Sequence, residues 1–453
     1  NYVPGQKSIV NAIAPIGALF YGDPGVERGG IPVSYSHISP RFGIAWDPFG
    51  DGKTSIRAAA GIFYGSISGN EWNTMTNFQP FSTRLTFTNI NQTTNTAGVP
   101  NGASLSNPYN AFAGGNPFPY NGGFTTGGGL FAVDPDFKWP RTFQTNVSIQ
   151  RQLTSGLTVG AAYVGTISNN LPLGRDVNYP VLTATATTGN VLARRPNPLF
   201  GAVTVLDSDQ EASYHAMQLT GTYRLGKKVS FNGFYTFSKT LSSAELHNNT
   251  TQGLAQNYTK LFLEKGRADT DQRHVFSMSM NFQPDFYKGD SKILSGIING
   301  WSLSPIVKIR SGRPFTVTNG GVDANLDGVT TTDRAQLIGD PYLANPTADM
   351  WFNIAAFSRN LAVTGVATDG NSPRNFLSGP GYNAVDLGLS RDFRFSERFK
   401  VRLRAEGTNI FNHPNYDQPN STAPANIASP GNFGRITSAG AMRRLQFGVR
   451  FTF

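Results

Sequence analysis

The 453-residue sequence predicts an all-β protein, a transmembrane antiparallel β-barrel with about eleven strands in this chain. Three observations predict it: apolar and polar residues alternate in eleven separate segments, the connections between them take turns short and long, and charges keep to one side of the alternation. The clearest segment ends the chain. Leu445, Phe447, Val449, Phe451 and Phe453 share one face, and Gln446, Gly448, Arg450 and Thr452 share the other. Side chains alternate across a strand with period two, so this segment has one greasy and one wet face.

The same period runs through residues 38–47, 54–64, 141–151, 156–166, 213–225, 228–240, 272–283, 299–311, 382–393, 398–410 and 441–453. Each is about as long as the 9–11 residues a tilted strand needs to cross hydrocarbon. Short connections fall at Pro48 to Lys53, Thr154 to Ser155, Gly226 to Lys227, Gln283 to Ile298 and Arg394 to Glu397. Long ones, rich in Gly, Asn, Thr and Pro, occupy 65–140, 167–212, 241–271, 312–381 and 411–440. That alternation is expected when all turns lie on the periplasmic side and all loops outside the cell. Residues 1–37 then form a further outer loop, and 38–453 the carboxy-terminal part of a barrel wall.

Charge follows the same parity. On 398–410, Phe399, Val401, Leu403 and Ala405 oppose Lys400, Arg402, Arg404 and Glu406. A mid-bilayer Arg facing lipid costs about 2–4 kcal/mol, so the charged face must line the lumen. Arg57, Lys308, Arg310 and Arg450 share that inward parity. Arg151, Arg391 and Arg443 have outward parity but sit near strand ends, where the cost is about 0–1 kcal/mol. Trp46, Tyr64, Tyr163, Tyr235, Phe237, Trp301 and Phe393 fit an aromatic girdle; in a β-sandwich they would be core residues instead.

Composition agrees. Hydrophobic residues make up 39% of the chain and no run of 18 apolar residues exists, which excludes membrane-spanning helices and leaves a barrel open. The chain has no cysteine, in keeping with an exported protein that needs no disulfides. It starts at Asn1 without an initiator Met or signal segment, and the strand count leads us to expect truncation there.

The segment SPRFGIAWDPFGDGKTSIRAAAGIFY (Ser39 to Tyr64) and the ending RRLQFGVRFTF resemble TonB-dependent outer-membrane receptors of the Oar-like (OmpA-related) group. Arg141 to Thr145, Thr270 to Phe276, Trp301 to Pro314 and Ala405 to Pro414 are similar to the same family, so the likeness spans nearly the whole chain. The resemblance implies the carboxy-terminal half of a barrel of about 22 strands around a plug. It also implies import of a scarce solute across the bacterial outer membrane, with TonB and the barrel-assembly machinery as partners. Phe447, Val449, Phe451 and Phe453 would carry the assembly signal. The alternative is a surface adhesion, structural or protein-export barrel of the same type.

No residues suggest bond chemistry. His37, His215, His247, His274 and His413 are scattered, and no HExxH, Walker or GxSxG pattern occurs, so the chain is expected not to be an enzyme and to hold no organic cofactor. Asp323, Asn325 and Asp327, followed by Gly328 and Asp333, set oxygen ligands at alternate positions around a turn glycine, as Ca²⁺ requires. Arg334 stands where an EF-type loop wants its acidic twelfth residue, and a plain Asx-turn cluster is the competing reading. The formal charge of +10 has no basic helix or arginine-rich stretch behind it, so nucleic acid is not an expected partner. Membrane lipid is, with lipopolysaccharide phosphates placed near Arg443 and Arg444. Loop aromatics Trp72, Phe78, Tyr109, Phe112, Phe118, Tyr120 and Trp351 could stack on a ligand or pack loops together.

Overall fold

A computed structural model describes residues 1–28, 34–67, 69, 77–80, 123–124, 126–226, 228–243, 255–359, 367–396, 398–419 and 425–453. Its strands, in chain order, are β1 (Arg41–Trp46), β2 (Thr54–Tyr64), β3 (Gly128–Val133), β4 (Arg141–Gln152), β5 (Leu157–Asp176), β6 (Phe200–Leu225), β7 (Val229–Ser242), β8 (Gly266–Arg267) and β9 (His274–Phe282). They continue with β10 (Trp301–Arg310), β11 (Pro314–Phe315), β12 (Gln336–Leu337), β13 (Phe357–Ser358), β14 (Leu377–Ser378), β15 (Tyr382–Arg394), β16 (Lys400–Thr408) and β17 (Arg444–Thr452). A seven-residue helix, α1 (Lys292–Ile298), lies in the connection between β9 and β10.

All eleven alternating segments are strands, and they pair in sequence order, β1-β2-β4-β5-β6-β7-β9-β10-β15-β16-β17, every neighbour antiparallel. The register carries one face unbroken across this wall. Ile56, Ile149, Ala161, Leu219, Tyr235, Phe276 and Ile309 form one transverse row. That face leaves Ile149, Leu219, Ile309, Phe447 and Val449 between 39% and 76% exposed. So much solvent-facing apolar surface on a soluble protein would be an aggregation liability; on a barrel it is the surface that meets lipid.

The loop between β5 and β6 differs from expectation. Residues 167–212 were expected to be loop, but β5 runs on to Asp176 and β6 begins at Phe200. The register breaks at Ser168 to Leu173, around Asn170 with φ 58°, and resumes beyond. Here β3 adds in parallel to β6, and Phe200, Val203, Val205 and Leu206 are buried with Tyr2, Ala14, Ala18, Leu130, Phe131 and Val133. Both faces of this extension touch protein, so its sequence lost the alternation that marks a lipid-facing strand. The 312–381 and 411–440 loops likewise share a core of Phe315, Val317, Phe352, Phe357, Leu377, Ala425 and Phe433.

At the opposite edge the turns are tight. Asp47 accepts from the amides of Phe49 and Gly52, and Gly50 and Gly52 take φ of 67° and 69°, a region L side chains avoid. Of the outward-parity arginines Arg391 is shielded, while Arg151 and Arg443 are exposed near strand ends. Arg391 is 5% exposed; its guanidinium lies 4.3 Å from the Phe393 ring and 5.4 Å from that of Trp301, and it donates to the Ile297 carbonyl. Arg151 lies 5.0 Å over Phe49 and donates to Thr54.

Candidate functional site

Arg57, Lys308, Arg310, Lys400, Arg402, Arg404 and Arg450 share the face of the wall opposite the apolar row. Arg57, Arg310 and Lys308 alternate out of phase with the lipid-facing row, and Lys400, Arg402 and Arg404 face Thr452, Arg450 and Gly448 across the β16–β17 ladder. Asp392 accepts from Arg402 Nε and Nη2 at 2.5 and 3.0 Å and lies 2.6 Å from Lys400 Nζ. Arg404 pairs with Glu406, Lys308 lies 3.9 Å from Asp386, and Arg310 stacks 4.7 Å over Tyr382. Arg57 and Arg450 have no acidic partner among the described residues. The wall curves around a concavity of about 930 Å³, lined by Ser304, Asp386, Ser390, Arg402, Arg404 and Glu406 among others. Such a surface can bind polar or acidic groups.

Above the lumen, loops knot together around Asp323, Asn325, Asp327 and Asp333. Asp323 accepts from the amides of Asp327 and Gly328, both at 2.9 Å, and Asp327 accepts from the amide of Val329 at 2.6 Å. Asp333 Oδ2 accepts from Ala324 N at 2.7 Å, while Oδ1 is buried without a partner. Burial and the repulsion of Asp323 and its neighbours push the carboxyls of Asp327 and Asp333 up from 3.8, to about 6 and about 7. Among the described residues no three His, Asp or Glu side chains are arranged to hold a metal ion. The carboxylate oxygens of Asp323 and Asp327 are held instead by N–H and O–H donors.

The knot draws on residues that the motif alone did not mark. Tyr179, from the β5–β6 loop, donates to Asp327 at 3.0 Å, and burial followed by the charge of Asp327 pushes its phenol upward. Gln256 is 1% exposed and accepts from the amides of Arg334 and Gly370 at 2.7 and 3.2 Å. Arg334 pairs with buried Glu264 at 3.0 Å, so the residue standing at the twelfth position serves a different loop. Asp369 accepts from Asn257 and Lys260. These partners come from loops far apart in sequence, and no local pattern could have joined them.

Phe78 packs on Phe131 at 5.9 Å, and Trp351 packs on the loop core with Nε1 donating to the Ser378 carbonyl at 2.9 Å. Both serve loop packing. Trp72, Tyr109, Phe112, Phe118 and Tyr120 lie outside the described residues, as do His247, Lys227 and Glu397. Phe447, Val449 and Phe451 lie on the lipid-facing side of β17, and Phe453 follows it, 97% exposed.

A continuous antiparallel wall, greasy outside and charged within, defines an outer-membrane β-barrel. The chain belongs to the outer membrane beta barrel domain family, which matches residues 1–446, and its place is the bacterial outer membrane. No curated protein matches it. Among solved structures it is similar to the outer membrane transporter YddB from Escherichia coli, with 12% identity and a TM-score of 0.46 over 91% of this chain and 40% of that one. It is also similar to the FrpB iron transporter from Neisseria meningitidis, with 12% identity, a TM-score of 0.42 and coverage of 91% and 38%. A third is a mutant ferric enterobactin receptor, PfeA, from Pseudomonas aeruginosa, with 11% identity, a TM-score of 0.42 and coverage of 91% and 40%. The chain thus spans about 40% of the length of these structures.

Proposed function

We propose that this chain is about half the wall of a TonB-dependent importer of the Oar-like group, closed by further strands around a plug. The inward face carries the argument. Around eight strands suffice to fill a barrel with its own side chains, whereas far larger barrels hold water or a plug. Eleven strands already form an open arc whose outermost strands, β1 and β17, each pair on one side only. Unpaired strand edges are untenable in lipid, so more strands complete the cylinder. Arg57 and Arg450 then face the interior without acidic partners among the described residues, as cations awaiting an acidic plug surface would. The work is binding and passage, with no bond-making step.

Two measurements on the complete protein test this reading. In planar bilayers a plugged importer gives no steady conductance, whereas a surface scaffold or export barrel without a plug gives an open pore. In cells, uptake of its solute stops when TonB is deleted or the proton gradient is collapsed. A steady pore together with TonB-independent behaviour would leave the adhesion or export alternative.

The outer knot supports a second element of the proposal, a Ca²⁺ held by Asp323, Asn325, Asp327 and Asp333 that stiffens the loops. The support is the orphaned Asp333 Oδ1 and the mutual repulsion of the carboxylates, which a cation would relieve. Its carboxylates must first turn from their amide donors to converge on the ion.

A further inference from the structure

The lipid-facing side of the wall carries a cluster of cations near its outer rim. His215 on β6 and Lys239 on β7 are register partners, on the same face as Met217, Leu219 and Phe237. Tyr163 Oη lies 2.7 Å from His215 Nδ1, and Tyr235 Oη lies 2.7 Å from His274 Nδ1. The two pairs stack alike, with centroids 6.2 and 6.1 Å apart. With the hydroxyl donating, each neutral imidazole accepts at Nδ1 and carries its proton on Nε2, turned away from the tyrosine. The Arg273 guanidinium lies 5.7 Å over the Phe237 ring, itself 5.1 Å from that of His274.

Height in the membrane decides what this cluster meets. His215 and Lys239 stand ten residues above the Leu225–Val229 pair at the periplasmic turn. At about 3.4 Å per residue and a tilt of about 40°, that is roughly 25 Å, the top of the apolar band. A cation costs most at the midplane and little at this level, where anionic head groups begin. Lys239 and Arg273 have no acidic partner among the described residues, and Glu211, farther out on β6, is already paired with Lys265.

We propose that Lys239, Arg273, His215 and His274 form a binding site for a phosphate group of an outer-leaflet glycolipid, with Tyr163, Tyr235 and Phe237 lying along its acyl-chain boundary. The two basic side chains supply charge, and the Nε2–H groups supply directed donors. This site is on the outside of the wall and stands whether or not the barrel is an importer.

The test uses the complete protein in detergent, titrated with bis-phosphorylated lipid A, with dephosphorylated lipid A and with phosphatidylglycerol, and bound lipid is counted by native mass spectrometry. The wild-type protein should prefer the phosphorylated lipid A to both others. The double variant Lys239→Ala with Arg273→Ala should bind it about 30-fold more weakly, the loss expected from two interfacial cations. Lys239→Arg with Arg273→Lys should restore most of the binding, and a heat-modifiable gel shift should show each variant folded. Equal binding of dephosphorylated lipid A or phosphatidylglycerol by the wild type would overturn the proposal, as would a folded double-alanine variant that binds like the wild type. The wild-type comparison decides even where a variant fails to assemble.

Discussion

Placing an arginine on each face of β6 tests the assignment of lipid and lumen directly. Leu219 is 39% exposed on the outward row between Ala161 and Tyr235, six residues above the periplasmic turn. That is roughly 15 Å up, close to the middle of the apolar band. Thr220 is its neighbour in the chain but faces the lumen, between Gly160 and Phe234. Leu219→Arg should therefore destabilise the folded barrel by about 2–4 kcal/mol, the cost of a cation at the midplane. Thr220→Arg should change stability by about 0.5 kcal/mol or less, as at other solvated positions. Reversible guanidinium titration of the complete protein in lipid bilayers, followed by tryptophan fluorescence, gives both values. Equal losses would refute the membrane reading, and a larger loss at Thr220 would show that the faces had been exchanged.

The outer knot should be sensitive to pH. The folded chain holds protons on Asp327 and Asp333 to about 6 and about 7, above the ordinary 3.8, so their contribution is full below about pH 4 and is lost as pH rises through those values. Limited proteolysis of residues 313–381 without calcium should accelerate over that window, and Asp333→Asn, which mimics the protonated carboxyl, should flatten the dependence. Calcium at neutral pH should restore resistance; equal cleavage with calcium and with chelator would remove the ion from the account. Asn178 is fully buried, and its Nδ2 donates to the carbonyls of Asn197, Phe200 and Gly201. Asn178→Ala should loosen the β5–β6 loop by about 1–3 kcal/mol, seen as faster amide exchange there while the wall stays protected. Phe453→Ala should lower the outer-membrane yield; an unchanged yield would argue against an assembly role for the aromatic end.

The wall was legible because each of its strands separates two solvents. Met217, Leu219 and Tyr223 alternate with Gln218, Thr220 and Arg224, so a period of two is written into the chain wherever lipid lies on one side and water on the other. The same parity puts the seven charges from Arg57 to Arg450 on one face, opposite the apolar row. The extension of β6 above the membrane was not legible, since Phe200, Val203, Thr204, Val205 and Leu206 are all buried and no alternation survives. Its parallel pairing with β3 joins segments about 70 residues apart, which no local pattern announces. The Asx cluster at Asp323 to Asp327 was visible as a motif, but Gln256 and Tyr179, which hold it, were not.

By itself the sequence determined which segments form the barrel wall and which residues of each share a face. Those choices are dictated residue by residue, through the cost of exposing a polar group to hydrocarbon. Only the tertiary structure decided how the outer loops stack, why Arg334 pairs with Glu264, and which cations gather on the outer rim. These depend on distant segments sharing space, and protein that is buried on every side keeps no periodic record of its neighbours.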